Sequence, residues 1–187
     1  MGKEIEIRNA LFNKADVKKF LDNNAVIIKS NHQIDTYYDN PSDSFFKDID
    51  NVNDWCRIRE EKGELSFNFK HWLPEDSIIK TYCDETEFKI SSKDEFGEAL
   101  VKMGYQPNFV PVIVVDKHRT SYLYDDCEVS IDEVESLGDY IEVEYKGNNE
   151  NIEEVQKYLP KILENIKASV GPADNKGYAY NLLKKSK

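Results

Sequence analysis

Charged residues recur at a spacing of two in most stretches of this chain that read as strands, and the recurrence is sorted by sign. The stretch "EIEIR" puts Glu4, Glu6 and Arg8 on one face of a strand, because side chains two apart point the same way. "WCRIRE" aligns Arg57 with Arg59, "DETEFKI" aligns Glu85, Glu87 and Lys89, and "VVDKHR" aligns Lys117 with Arg119. In "ELSFNFK" the polar row ends on Lys70, in "DDCEVSIDEV" it holds Asp132, and in "DYIEVEYK" it holds Glu142 and Glu144. One such strand is explained by a solvated outer face. Like charges aligned in rows cost stability, unless rows of opposite sign face them across a shared interior or bound ions neutralise them. An antiparallel barrel of eight strands provides that interior, with room for side chains and one slim ligand. The predicted class is therefore α+β, an eight-stranded antiparallel β-barrel with a polar, charged lumen and helices outside. An ordinary sheet with a solvated face is the alternative.

The helical segments suit the outer layer. "KADVKKFLDN" (14–23) puts Val17, Phe20 and Leu21 on one stripe, and "SKDEFGEALVKMG" opens on a Ser92/Glu95 capping box and closes on Gly104. A third helix near 149–168 carries Ile152, Val155, Leu159, Ile162, Leu163 and Ile166 at helical spacing, with a kink expected at Pro160. These stripes read as core.

With 187 residues and 40% hydrophobic content, the chain can build one sizeable core, so a single domain over 1–187 is expected. No segment is apolar for long enough to cross a membrane, and "MGKEIEIRNA" lacks the apolar run of a signal peptide. Cys56, Cys83 and Cys127 stand apart without a CxxC pair, which fits a reducing cytoplasm. The net charge of −11 repels polyanions and argues against a general nucleic-acid binder. The stretch "DNPSDSFFKDIDNVND" (39–54) reads as a surface loop. A calcium loop counted from Asp48 fails, with Asn53 where glycine belongs and Arg59 where glutamate belongs. His32, His71 and His118 lack ligand spacing and read as surface or loop positions, so zinc is not expected. No glycine-rich phosphate loop is present, so any phosphate must be held by side chains.

Taken in order, "EIEIR", "HQIDTYYDNP", "RIR", Lys70, "ETEF", "KHR" and "SIDEVESLGDYIEVEYKG" resemble the CYTH superfamily of triphosphate tunnel metalloenzymes over nearly the whole chain. "HQIDTYYD" and "GYAYNLL" look closest to its class IV adenylate cyclase branch, which is related to thiamine triphosphatase. Arg8 departs from the pattern, which has lysine there. The resemblance implies a tunnel that holds a small-molecule triphosphate and uses Mg²⁺ or Mn²⁺. Arg8, Arg57, Arg59, Lys70, Lys117 and Arg119 then bind phosphate oxygens, the arginines as planar forks and the lysines as point charges. Glu4, Glu6, Glu142 and Glu144 suit the metal, since hard cations take oxygen ligands. Glu85 and Glu87 are expected behind these, bridging to the arginines and holding them in place. Asp132 and Arg8 are the catalytic candidates, Asp132 to place or deprotonate the nucleophile and Arg8 to clamp without moving a proton. Tyr37, Tyr38, Trp55, Trp72 and Phe88 could line a slot for an organic group or simply pack.

The implied reaction is conversion of ATP to cyclic AMP and pyrophosphate. Hydrolysis of thiamine triphosphate or tripolyphosphate is the alternative, followed by non-catalytic binding of polyphosphate or nucleotide. A homodimer is compatible with this reading.

Overall fold

The computed structural model describes residues 2–40, 44–77, 80–102 and 110–185. Its strands are β1 (Gly2–Glu4), β2 (Glu6–Leu11), β3 (Val26–Asp39), β4 (Asp54–Glu61), β5 (Glu64–Leu73), β6 (Tyr82–Ile90), β7 (Val110–Tyr124), β8 (Cys127–Val134), β9 (Gly138–Tyr145) and β10 (Val170–Ala173). Helices α1 (Lys14–Asn24), α2 (Lys93–Lys102), α3 (Ile152–Asn165) and α4 (Tyr178–Lys185) intervene. A short 3-10 turn, Ile49–Asn51, interrupts the predicted loop. Among the described residues no helix is long and apolar enough to cross a membrane.

The strands form one antiparallel sheet in the order β1-β6-β5-β4-β3-β7-β8-β9-β2-β10. "EIEIR", expected as a single strand, is broken at Ile5. Glu4 pairs with Cys83 of β6 at one end of the order, and Glu6 pairs with Glu144 of β9 near the other. Ile5 joins the two covalently, and its carbonyl accepts from Tyr145 N at 3.0 Å. The wall is thus closed by the chain itself and not by a continuous ladder. With β1 and β2 taken as one stave, β3 to β9 complete the eight expected, and β10 is added along β2.

Alternation sends the charged rows inward and the apolar rows outward. Cys127, Val129 and Ile131 of β8 and Ile141 and Val143 of β9 are buried on the outer face. There they join Val17 and Leu21 of α1 and Val155, Leu159 and Ile162 of α3 in one core. Fully burying an aliphatic side chain contributes about 1.5–3 kcal/mol, so this layer supplies much of the stability of the fold. Helix α3 runs through Pro160 and starts on Asn151, whose side chain accepts from Glu154 N at 3.3 Å. On α2, Ser92 Oγ accepts from Asp94 N and Glu95 N at 3.2 and 3.4 Å. Glu95 accepts from Ser91 Oγ at 2.8 Å instead of reaching back to Ser92, so only half of the capping box forms. The proposed stop at Gly104 lies outside the described residues. Phe96 of α2 packs on Phe67 and Phe88, which places Phe88 on the outside of the barrel.

The histidines sit on strands, with His32 and His118 at the surface as expected. His32 and His118 are register partners of β3 and β7 with rings stacked at 4.6 Å. His71 of β5 lies between Asp54 and Glu75 at 2.7 and 3.2 Å, and its hydrogen bond to Asp54 raises its pKa.

Candidate functional site

The inward rows enclose a cavity of about 240 Å³. Its lining includes Glu4, Glu6, Arg8, Arg57, Arg59, Lys70, Lys117, Arg119, Glu142 and Glu144, which brings together every residue expected to bind phosphate or metal. Glu85 and Glu87 line it as well, and Asp132 does not.

The basic wall is gripped from behind. Asp35 of β3, fully buried, accepts from Arg59 Nε at 2.6 Å and Nη2 at 2.8 Å, from Arg57 Nη1 at 3.2 Å, and from Lys117 Nζ at 3.3 Å. Asp132 of β8, also fully buried, accepts from Arg119 Nε and Nη2 at 2.7 and 2.6 Å and from Tyr178 Oη at 2.7 Å. Arg59 and Arg119 are therefore anchored along one edge, and Arg57 at Nη1. Arg57 Nε is buried without a partner, and a buried donor left unpaired is costly unless a ligand satisfies it. Burial opposes charge on Asp35, but Arg57, Lys117 and Arg59 outweigh it and hold its carboxyl well below the usual range. Burial and the neighbouring Arg119 and Arg59 push Lys117 down to about 7, against the pull of Asp35 and Asp132.

The acidic side is crowded. Burial, with Glu142 and Glu4 nearby, raises Glu6 to about 7 against Lys70 and Arg8. Burial and Glu4 raise Glu144 to about 7 as well. Burial alone would also raise Glu142, but Arg119 and Arg8 hold it well below the usual range. Each carboxylate of this set has a cationic partner. Glu4 accepts from Lys70 at 2.5 Å, Glu6 from Arg8 Nη2 at 2.6 Å, and Glu142 from Arg8 Nε at 2.9 Å. Lys146 lies 2.5 Å from Glu144. Among the described residues no three acidic, histidine or cysteine side chains converge as a ready-made ion cage. The donors are nonetheless all oxygen, and like-charge crowding is what a hard divalent cation relieves. The set fits Mg²⁺ or Mn²⁺ once the ion replaces lysine and arginine as partner.

Two expected roles change with this geometry. Glu85 accepts from Asn68 at 2.5 Å and lies 3.7 Å from Lys70, while Glu87 accepts from Ser66 at 2.8 Å. Neither grips an arginine, because Asp35 and Asp132 already do. Asp132 sits outside the cavity lining with Arg119 across both of its oxygens. Burial raises its pKa, yet Arg119 and Lys117 leave it below the usual range, which suits it to fixing Arg119 rather than to accepting a proton.

Two residues of the site were not singled out from the sequence. Asp35 stands in the quoted "HQIDTYYD", on the same face as Tyr37. Tyr178 stands in "GYAYNLL" at the start of α4. Its ring lies 4.8 Å from the Arg8 guanidinium carbon and 5.1 Å from Lys117 Nζ. Gly177 beside it has φ of +87°, and a Cβ there would meet Arg8 Nη1 at 3.3 Å. Residues 174–180 line the cavity, and this segment is tied to the 3-10 turn by Tyr180 Oη donating to Asp50 at 2.6 Å. Tyr37, Trp55 and Trp72 also line the cavity, with Ile49 and Val52 beside them. Tyr38 and Phe88 do not.

Comparison with known proteins gives a consistent picture. The CYTH domain model matches residues 2–178. A Methanocaldococcus jannaschii protein named "Putative adenylate cyclase MJ0240" is 34% identical over 148 residues, covering 79% of this chain and 78% of its own length. The PH1819 protein of Pyrococcus horikoshii OT3 superposes with a TM-score of 0.73 at 25% identity, covering 97% of this chain and 99% of that one. HpAC1 from Hippeastrum, described as having a dominant triphosphatase activity, superposes with a TM-score of 0.62 at 19% identity, covering 100% of this chain and 96% of that one.

Proposed function

The chain belongs to the CYTH domain family, and from that premise we propose that it binds a nucleoside triphosphate in its charged cavity and cyclises it, as ATP to cyclic AMP and pyrophosphate. The observation that carries the reading is the division of the lumen. Arginines anchored along one edge face the cavity together with Lys70 and Lys117, and four glutamates of β1, β2 and β9 stand with them. Guanidinium forks and ammonium groups hold phosphate oxygens through charge-assisted hydrogen bonds.

In this reading Arg57, Arg59, Lys70, Lys117 and Arg119 hold the β- and γ-phosphates, and the buried Nε of Arg57 gains its missing partner. Arg8 ties the acidic side together, being bonded to both Glu6 and Glu142. It clamps and moves no proton, since a guanidinium stays charged. Asp132 positions Arg119. Glu4, Glu6, Glu142 and Glu144 would hold Mg²⁺ or Mn²⁺, which supplies charge neutralisation for the phosphates and the leaving group. The apolar part of the lining, Tyr37, Trp55 and Trp72, offers a slot for the organic group. With the pyrophosphate portion fixed, the ribose 3′-hydroxyl attacks the α-phosphorus, the bond to the bridging oxygen breaks so that pyrophosphate departs in line, and the hydroxyl proton passes to that pyrophosphate or to solvent.

The test is incubation with ATP, thiamine triphosphate and tripolyphosphate, each in Mg²⁺ and in Mn²⁺, with chromatography of the products. Cyclic AMP with pyrophosphate supports cyclisation. Orthophosphate release assigns the same clamp to hydrolysis, and no turnover of any compound leaves only a binding module.

A further inference from the structure

We infer that Asp35 is a positioning residue for the phosphate-binding wall, acting through Arg57, Arg59 and Lys117 without touching the ligand. The inference rests on the triphosphate reading for its ligand and on the geometry for its residue. Asp35 is fully buried and absent from the cavity lining, whereas all three cations line it. Its strand lies between the two that carry them. In register it faces Arg59 of β4 on one side, and Lys117 stands on β7 on the other.

One carboxylate thus converges three cations that would otherwise repel one another in a low-dielectric wall. The Arg59 fork is closed on Asp35 through Nε and Nη2, so its planar group can rotate only if that pair breaks. Arg57 meets Asp35 through Nη1, with its Nε left unpaired. Lys117 is the member most dependent on this arrangement. It is faced by Asp35 of β3, Arg59 of β4, Arg119 of its own strand, Asp132 of β8, Glu142 of β9 and the Tyr178 ring of α4. Of these, Asp35 is the acceptor in contact with its ammonium.

The balance of charge gives the role a signature. Asp35→Asn removes one negative charge from behind the wall. Lys117, which burial and the neighbouring Arg119 already push down to about 7, is then pushed lower still. At pH 8 Lys117 is mostly neutral in both proteins, so the variant differs there by its lost alignment and one missing carboxylate charge; between the new midpoint and pH 7 it also lacks an ammonium charge that the wild type keeps. Below the new midpoint Lys117 is charged in both proteins and the ammonium no longer distinguishes them.

The experiment measures tripolyphosphate affinity by calorimetry at pH 6 and pH 8, together with the Lys117 midpoint by NMR of ε-labelled lysine in the ligand-free protein. Asp35→Asn is expected to bind at least tenfold more weakly than wild type at pH 6, where it has lost the Lys117 ammonium that the wild type keeps, with a smaller deficit at pH 8 and a lowered Lys117 midpoint. Asp35→Glu keeps the charge and is expected to restore the wild-type pH profile with weaker binding overall. Equal deficits at both pH values with an unmoved midpoint overturn the inference, as does unchanged affinity. If circular dichroism shows that Asp35→Asn does not fold, Asp35→Glu decides. Weaker binding with an unmoved Lys117 midpoint supports the role, and wild-type affinity overturns it. Failure of the wild type to bind tripolyphosphate overturns the triphosphate reading instead, and the midpoint comparison then judges Asp35 alone.

Discussion

The phenol of Tyr178 donates a 2.7 Å hydrogen bond to Asp132 from the first turn of α4. That bond joins the C-terminal helix to the carboxylate that holds Arg119. Tyr178→Phe keeps the ring against Arg8 and Lys117 and deletes only the donor. Hydrogen bonds to charged groups contribute about 1.5–3 kcal/mol. The expected loss of stability lies in that range, read by urea denaturation. Tyr178→Leu also removes the two cation–ring contacts and is expected to lose more.

Stability of the ligand-free protein is expected to pass through a minimum near neutral pH. Glu6 and Glu144 have folded pKa values of about 7, above the ordinary carboxyl value. The folded state then binds more protons than the unfolded one between roughly pH 4.5 and 7, so stability falls as pH rises through that window. Lys117 is depressed to about 7. Above that pH the unfolded state binds the extra proton, so stability rises again. Melting temperatures at pH 5, 7 and 8.5 check this, with pH 7 expected lowest. Magnesium is expected to stabilise more at pH 8.5 than at pH 5, since it takes the place of protons on the glutamates.

Tripolyphosphate with Mg²⁺ at 100 times its dissociation constant is expected to stabilise the wild type by about 2.7 kcal/mol. Replacing Arg57 and Arg59 together by alanine should abolish that gain and destabilise the empty protein, because Asp35 is left buried with Lys117 as its remaining partner among the described residues. Breaking a buried ion pair from one side costs about 3–5 kcal/mol. Replacing Glu4 and Glu6 by alanine should remove mainly the Mg²⁺-dependent part. Equal ligand shifts in wild type and the double-arginine variant, read by thermal melting, would contradict the shared cavity.

Arg8→Lys tests the departure from the family pattern. Arg8 bonds Glu142 through Nε and Glu6 through Nη2, and an ammonium is a point charge without that fork. Turnover is expected to change by less than tenfold, since Arg8 acts as a clamp. A rise of tenfold or more in kcat at unchanged KM would show that lysine chemistry matters at this position.

The charged rows were legible because strand side chains repeat with period two, and each row of the lumen is a local pattern. The helical cover was legible for the same reason at period 3.6, and α1 and α3 fall where Val17, Leu21, Leu159 and Ile162 placed them. The break at Ile5 was not legible. Alternation continues through "EIEIR" unchanged, and what differs is which remote strand each half meets. Asp35 escaped notice because it is a single acid and forms no row. Its importance lies in its neighbours across two ladders, and no window of sequence contains them. Glu85 and Glu87, a conspicuous doublet, were assigned a task that two isolated aspartates perform. The stacked pair His32 and His118 was hidden in the same way, 86 positions apart in sequence yet opposite one another in register.

The single residue between Glu4 and Glu6 is a seam in the circumference of the barrel. Among the described residues no ladder joins the two sides there, so Lys70 on one side and Glu142 and Glu144 on the other meet around Glu4 and Glu6 only after residues 83–85 and 140–144 have both been recruited to the first strands. Contacts this remote close late, because loop entropy must be overcome before they form. The acidic half of the lumen is thus among the last features to assemble during folding. A proteolytic nick at Ile5 would open the ring while leaving the pairing of β1 with β6 and of β2 with β9 in place.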